Sequence, residues 1–185
     1  MQSQGPQPPN PYDKWTHLRV GQSAADAIDA FKAMARAESK DQNSETTNLP
    51  AAHPRSSISK FVRVSFDLTE PSGDHDHCLF KSVEDSTGRS KKGQRRPQDF
   101  QADRAETIGF IPLVLREPDA VYSDKNEPWK LAYICQTGLD EQYIVLVHER
   151  QMGLPRYSFI TAYPMTTAEW GAKKKRFKLL RSSDQ

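Results

Sequence analysis

From residue 129 onward, apolar positions recur in the two patterns that strands produce. Tyr143, Ile144, Val145, Leu146 and Val147 form a β-branched and aliphatic run suited to a buried strand, and Met152, Gly153, Leu154 and Pro155 supply a reversal after it. The returning segment alternates. That predicts Tyr157, Phe159, Thr161 and Tyr163 on one face of a strand, with Arg156, Ser158, Ile160 and Ala162 on the other. Upstream, Trp129, Leu131, Tyr133 and Cys135 alternate with Lys130, Ala132, Ile134 and Gln136, and residues 137–140 turn this strand into the next. The three segments predict an antiparallel meander. Residues 118–122 read as a further strand entry, and residues 124–128 as turn chemistry.

Ahead of the meander the period changes. Ser23 with Asp26 has the look of a capping box, and Ala24, Ile28, Phe31 and Ala35 recur at helical spacing to about residue 39. Residues 40–57 show no periodicity and contain two prolines, which fits a linker or a long surface loop. Val62, Val64, Phe66 and Leu68 then alternate with Arg63, Ser65 and Asp67, predicting the first strand of the main domain. Asp99 is placed to cap a helix running to about Gly109, and a second short helix begins at Pro112. Helices followed by an antiparallel sheet of at least three strands make the fold class α+β. The expected organisation is a disordered Pro-rich tail over 1–20, a helix and linker over 21–58, an α+β domain over 59–170 and a basic tail over 171–185.

Composition narrows the picture. A chain of 185 residues has room for one domain with a sizeable core. With 36% hydrophobic and 27% charged residues it is polar for a globular protein, so the core is expected mainly after Ser59. A net charge of +2 sets up no overall field for nucleic acid, but the basic residues cluster: Arg89, Lys91, Lys92, Arg95 and Arg96 in one run, then Lys173, Lys174, Lys175 and Arg176 followed by Lys178 and Arg181. Guanidinium forks and lysine point charges match phosphate oxygens, although such runs are equally suited to a solvated face. Tyr157, Phe159 and Tyr163 would stack bases if exposed, and are core residues otherwise. No apolar run approaches the roughly 20 residues that span a bilayer, and the N-terminus lacks a charged-then-apolar leader. The expectation is a soluble, unexported chain away from membranes. Cys78 and Cys135 are expected as reduced thiols rather than a disulfide framework.

The densest chemistry lies at Asp74, His75, Asp76, His77 and Cys78. A closed metal site needs three or four convergent ligands, and only the distant His148 and Cys135 remain to be recruited, so no metal is expected. An imidazole acting as general acid or base needs no such set, and an exposed turn histidine needs no function at all. Arg156, Ser158, Thr161 and Tyr163 either line a site or are hydroxyls and charge on a half-buried strand. The chain has no Walker loop, dinucleotide fingerprint, serine nucleophile elbow or HExxH motif, which removes the usual support for nucleotide hydrolysis, hydride transfer, esterase and zincin chemistry.

Taken together, His77 with Lys81, the arginines through Arg104, Ile111-Pro112-Leu113-Val114-Leu115, Glu117-Pro118-Asp119-Ala120-Val121 and Phe159-Ile160-Thr161-Ala162-Tyr163 form a familiar series. Over about residues 61–163 it resembles the Barnase-EndoU-colicin-RelE-like (BECR) nucleases, particularly their phage and polymorphic-toxin branches. In those, a helix bearing His or Lys leads through an arginine and an "nPd" element into a sheet ending in a Thr-x-Tyr-like motif. The long insert over residues 85–98 is a departure from the pattern. The resemblance implies a cofactor-free, metal-independent endoribonuclease in which the ribose 2′-hydroxyl attacks the adjacent phosphate. It implies His77 or His75 as base or acid, Lys81 and Arg104 as charge stabilisers, and Thr161 and Tyr163 as donors to phosphate or proton carriers, with Ser158 beside them. It also implies RNA, tRNA included, as substrate, a cognate immunity protein or antitoxin as partner, and action in a cytoplasm, its own or that of a target cell. Two alternatives belong to other classes. One is a non-catalytic nucleic-acid- or protein-binding module that uses the basic loop and tail; the other is a metal-assisted hydrolase at residues 74–78.

Overall fold

A computed structural model describes residues 8–21, 23–45, 64–65, 78–81, 97–149 and 157–182. In chain order the elements are α1 (Asp13–Thr16), α2 (Ala24–Glu45), β1 (Val64–Ser65), a 3-10 turn (Pro97–Asp99), α3 (Ala102–Glu106), α4 (Phe110–Arg116), β2 (Ala120–Asp124), β3 (Lys130–Gly138), β4 (Glu141–Glu149), β5 (Tyr157–Thr166), α5 (Thr167–Lys174) and β6 (Phe177–Ser182). Among the described residues the six strands form one sheet in the order β1-β5-β4-β3-β2-β6. β2 to β5 are an antiparallel meander, β6 joins antiparallel to β2, and β1 runs parallel to β5. The class is α+β. No helix among the described residues is long and apolar enough to cross a membrane.

The central strands are apolar on both sides because each side feeds its own core. Leu131, Tyr133, Cys135, Tyr143, Val145 and Val147 pack on a first face with Trp15, Phe31, Phe110 and Val114 from the helices. Ala132, Ile134 and Ile144 pack on a second face with Tyr122, Met165, Phe177 and Trp170 of α5. A strand covered twice reads as a continuous apolar run, as residues 143–147 do.

β5 departs from simple alternation. Its ladder with β4 runs His148 to Ser158 and Val147 to Phe159, then slips to Leu146 opposite Thr161, so Ile160 is an extra residue. Such a bulge reverses the sides that follow. Tyr157 and Phe159 pack against the first core with Ala162, whereas Tyr163 packs against the second. The expected grouping of Thr161 and Tyr163 with Tyr157 and Phe159 is therefore corrected: they share the second face with Ser158.

Both ends belong to the fold more than the pattern predicts. Residues 12–20, expected within a disordered tail, carry α1. Its Trp15 is 2% exposed and lies 4.7 Å from the Phe110 ring, and the Val20 amide donates to Glu106 O at 3.1 Å. α2 starts as expected, with Ser23 Oγ accepting from the Asp26 amide at 3.3 Å and donating to its carboxylate at 2.7 Å. Ala27, Phe31 and Ala35 bury one stripe of it, and the helix continues to Glu45, past the expected end. The helix expected from Asp99 is broken instead. Asp99 sits in the 3-10 turn with its carbonyl accepting from Lys81 N, α3 follows Gln101, and residues 107–109 separate α3 from α4. Gly109 belongs at that break because a Cβ there would meet Leu18 O at 3.1 Å. At the other end, residues 171–182 of the expected basic tail over 171–185 are the last half of α5 followed by β6. Thr166 and Glu169 cap α5 reciprocally, at 3.1 and 2.7 Å. Of the strand expected over 61–68, residues outside Val64–Ser65 lie outside the described residues, as does the turn over 150–156.

Arg176, expected to contact nucleic acid, is committed to this framework. Asp124 is 1% exposed, and its Oδ1 accepts from the Asn126 and Glu127 amides at 2.8 and 3.2 Å. Its Oδ2 lacks a hydrogen bond of ordinary geometry but forms an ion pair with Arg176 Nε, so it is neutralised in place. Burial works against the charged form, yet the two amides and the guanidinium outweigh it and hold the carboxyl below its ordinary range. Arg176→Ala is expected to cost about 1–3 kcal/mol at neutral pH, by leaving a buried carboxylate short of a partner. Because the folded value is depressed, that stabilisation is present above the unfolded value of 3.8 and is lost as pH falls through the folded one. Melting temperatures of the two proteins should therefore converge below about pH 4; equal melting at pH 7 would contradict the assignment.

Candidate active site on the second face of the sheet

Two residues expected to act together do meet. α3 packs through Ala105 on the first core, and Arg104 extends from it so that its guanidinium carbon lies 4.9 Å from the centre of the Tyr163 ring on β5. One nitrogen, Nη1, donates to Cys78 O at 3.0 Å, which anchors one arm of the fork. A second cation arrives from α5, where Lys173 Nζ donates to Tyr163 Oη at 2.7 Å. Its 4.8 Å distance to the ring centre follows from that hydrogen bond, so the hydroxyl rather than the ring face is its main partner. Tyr163 is half-buried, with a guanidinium against its ring and an ammonium at its oxygen. A phenol oxygen that accepts from Lys173 still has its own proton to donate.

Along the same face three cross-strand rows follow. Ile134, Ile144 and Tyr163 are in register; next come Ala132, Leu146 and Thr161; then Lys130, His148 and Ser158. Opposed residues in antiparallel strands carry their Cβ atoms about 4.5–5.5 Å apart. His148 and Ser158 are therefore neighbours, both half-buried. The Lys130 ammonium is drawn off to Glu127, which also holds Arg176 at 3.1 Å.

Beneath Arg104 the chemistry is inert. Tyr143 is buried against Thr107, and burial pushes its hydroxyl well above the ordinary tyrosine range. Cys135 donates to Glu117 O at 3.3 Å; burial, reinforced by Asp119, pushes its thiol up to about 12. It stays protonated at neutral pH and is a poor metal ligand or nucleophile. Neither Cys78 nor Cys135 is in a disulfide, and both are buried. The metal set that sequence offered required His148 and Cys135 together, and the sheet separates them: Cys135 belongs to the first core, and His148 alternates onto the second face.

The remaining expected residues divide. Lys81 is exposed next to the Phe80–Phe100 bridge and is held by its backbone to Asp99. Lys174 Nζ lies 5.5 Å from the Tyr122 ring, and the Lys175 carbonyl accepts from Lys125 Nζ at 2.8 Å. His75, His77, Arg89, Lys91, Lys92, Arg95, Arg96 and Arg156 lie outside the described residues. One residue of the face, His148, is absent from the expected site, and Lys173 enters it in another role. His148 was readable in principle, because a hairpin pivoting on Gly153 sets the fifth residue before it opposite the fifth after it. Lys173 was read as a phosphate contact, and nothing local marks it as the partner of Tyr163. Comparison with known proteins returns no match: no family model, no curated protein and no solved structure matches this chain.

Proposed function

We propose that the chain is a metal-independent endoribonuclease of the kind its BECR-like residue series implies, cleaving RNA by attack of the ribose 2′-hydroxyl on the adjacent phosphate. The observation that carries this reading is the meeting of Arg104 and Tyr163, 59 residues apart, with a second cation, Lys173, at the phenol oxygen. Phosphoryl transfer gathers negative charge on the non-bridging oxygens, and prearranged cations and hydroxyl donors stabilise that charge most where it develops. Arg104 and Lys173 supply the charge, and Tyr163 supplies a hydroxyl. His77 precedes Cys78, whose carbonyl holds Arg104, and is the acid or base carried over from the resemblance.

The test is direct. The purified protein, incubated in EDTA with a mixed RNA and separately with tRNA, is expected to leave 2′,3′-cyclic phosphate and 5′-hydroxyl ends. Cleavage abolished by EDTA would move the assignment to a metal-assisted hydrolase. Tight binding of RNA that stays intact would instead make the protein a binding module.

A further inference from the structure

The ribonuclease reading, on which this inference rests, leaves the polar row at His148 and Ser158 without a task. We infer that His148 is a further catalytic residue, the base of the reaction in place of the His77 that the resemblance offers, and that the scissile phosphodiester lies along β5 above Thr161, between His148 and Tyr163.

The bulge at Ile160 makes this arrangement possible. With regular alternation, Thr161 and Tyr163 would face the first core while Ser158 faced the second; the extra residue brings all three hydroxyls to the side of His148. Bulges are over-represented beside active sites, where they re-aim side chains in this way. His148 stands opposite Ser158, and Leu146 opposite Thr161 separates it from the Ile144–Tyr163 row. At about 3.4 Å per residue, four residues of β4 place the His148 and Tyr163 rows roughly 14 Å apart at the backbone. The imidazole and the phenol, whose oxygen is held by Lys173, each reach part of the way across that gap, which leaves room for a phosphodiester at the Thr161 and Ser158 hydroxyls. The Lys130 ammonium of the same row is bound to Glu127.

The step then balances. His148 takes the proton of the 2′-hydroxyl as that oxygen bonds to phosphorus, and the bond from phosphorus to the 5′ oxygen breaks. Tyr163 gives its proton to the leaving oxygen, and Lys173 and Arg104 neutralise the phenolate. The imidazolium returns the proton to Tyr163 through water. The products are a cyclic phosphate and a 5′-hydroxyl, with no oxidant, reductant or metal consumed.

The experiment compares the full chain with His148→Gln in EDTA, and follows the His148 ring resonances by NMR on addition of a 2′-O-methyl oligoribonucleotide, which lacks the attacking hydroxyl. The expected results are a fall in kcat of about 10²-fold with KM little changed, and movement of the ring resonances on binding. If the parent protein cleaves RNA and His148→Gln stays within about threefold of it, below the range of general base catalysis, the base assignment falls while the ribonuclease reading stands. A parent protein that cleaves nothing overturns both. If His148→Gln fails to fold, the resonances decide: ring signals unmoved by a saturating oligonucleotide overturn the proposed placement.

Discussion

Replacing Arg104 with alanine is expected to slow RNA cleavage by about 10²- to 10³-fold, the usual loss when one prearranged donor to a developing oxyanion is removed. Arg104→Lys should recover little of it. The guanidinium bonds the Cys78 carbonyl through Nη1 while its carbon lies 4.9 Å from the centre of the Tyr163 ring, a double engagement that an ammonium cannot copy. Losing that engagement also frees the ring, so the effects of Arg104→Ala and Tyr163→Phe should be non-additive by about 0.5–3 kcal/mol in a double-mutant cycle on kcat/KM. A loss confined to KM would make Arg104 a binding residue with no special hold on the transition state. Strict additivity with Tyr163→Phe would mean that the contact of Arg104 with the Tyr163 ring does nothing to place the hydroxyl for the reaction.

Strand existence was legible in this chain, and strand orientation less so. The meander from β2 to β5 follows from alternation and turn residues, because a side chain facing a core is apolar whatever the neighbouring strand is. The bulge left no mark: Ile160 suits a strand as well as its neighbours do, and a single extra residue changes register without changing composition. The consequence falls on Thr161 and Tyr163, which alternation places on the wrong face.

The basic C-terminus shows the converse problem. Lys173, Lys174, Lys175 and Arg176 read as one charge run, yet Lys173 goes to Tyr163 and Arg176 to Asp124 and Glu127. Which anion or hydroxyl each cation meets depends on how α5 packs on the sheet, a long-range property. β6 was hidden by the same run. Lys178 and Arg181, interleaved with the half-exposed Leu179 and Leu180, resemble a solvated tail but suit an edge strand, where charge discourages further pairing.

Trp15→Ala is expected to destabilise the fold by about 3 kcal/mol, toward the lower end of the range for removing a large buried aromatic. The ring is buried against Phe110, and Phe110 in turn stands 5.2 Å from Tyr143 of β4, so α1 is joined to the centre of the first core through two aromatic contacts. The lower end is chosen for a specific reason. Trp15 Nε1 is buried without a hydrogen-bond partner, and leaving such a donor unsatisfied costs about 1–3 kcal/mol in the parent fold. Alanine removes the packing and that penalty together. Trp15→Phe keeps part of the apolar contact and removes the orphaned donor but leaves a void where the second ring stood, so it should fall between the parent and Trp15→Ala, about 1–2 kcal/mol below the parent. Urea denaturation of the three proteins separates these contributions, provided the m-values agree. If Trp15→Ala unfolds at the parent's midpoint, residues 12–20 are an appendage after all. If Trp15→Phe falls as far as Trp15→Ala, the indole nitrogen is satisfied in solution and the packing alone is worth less than its burial suggests.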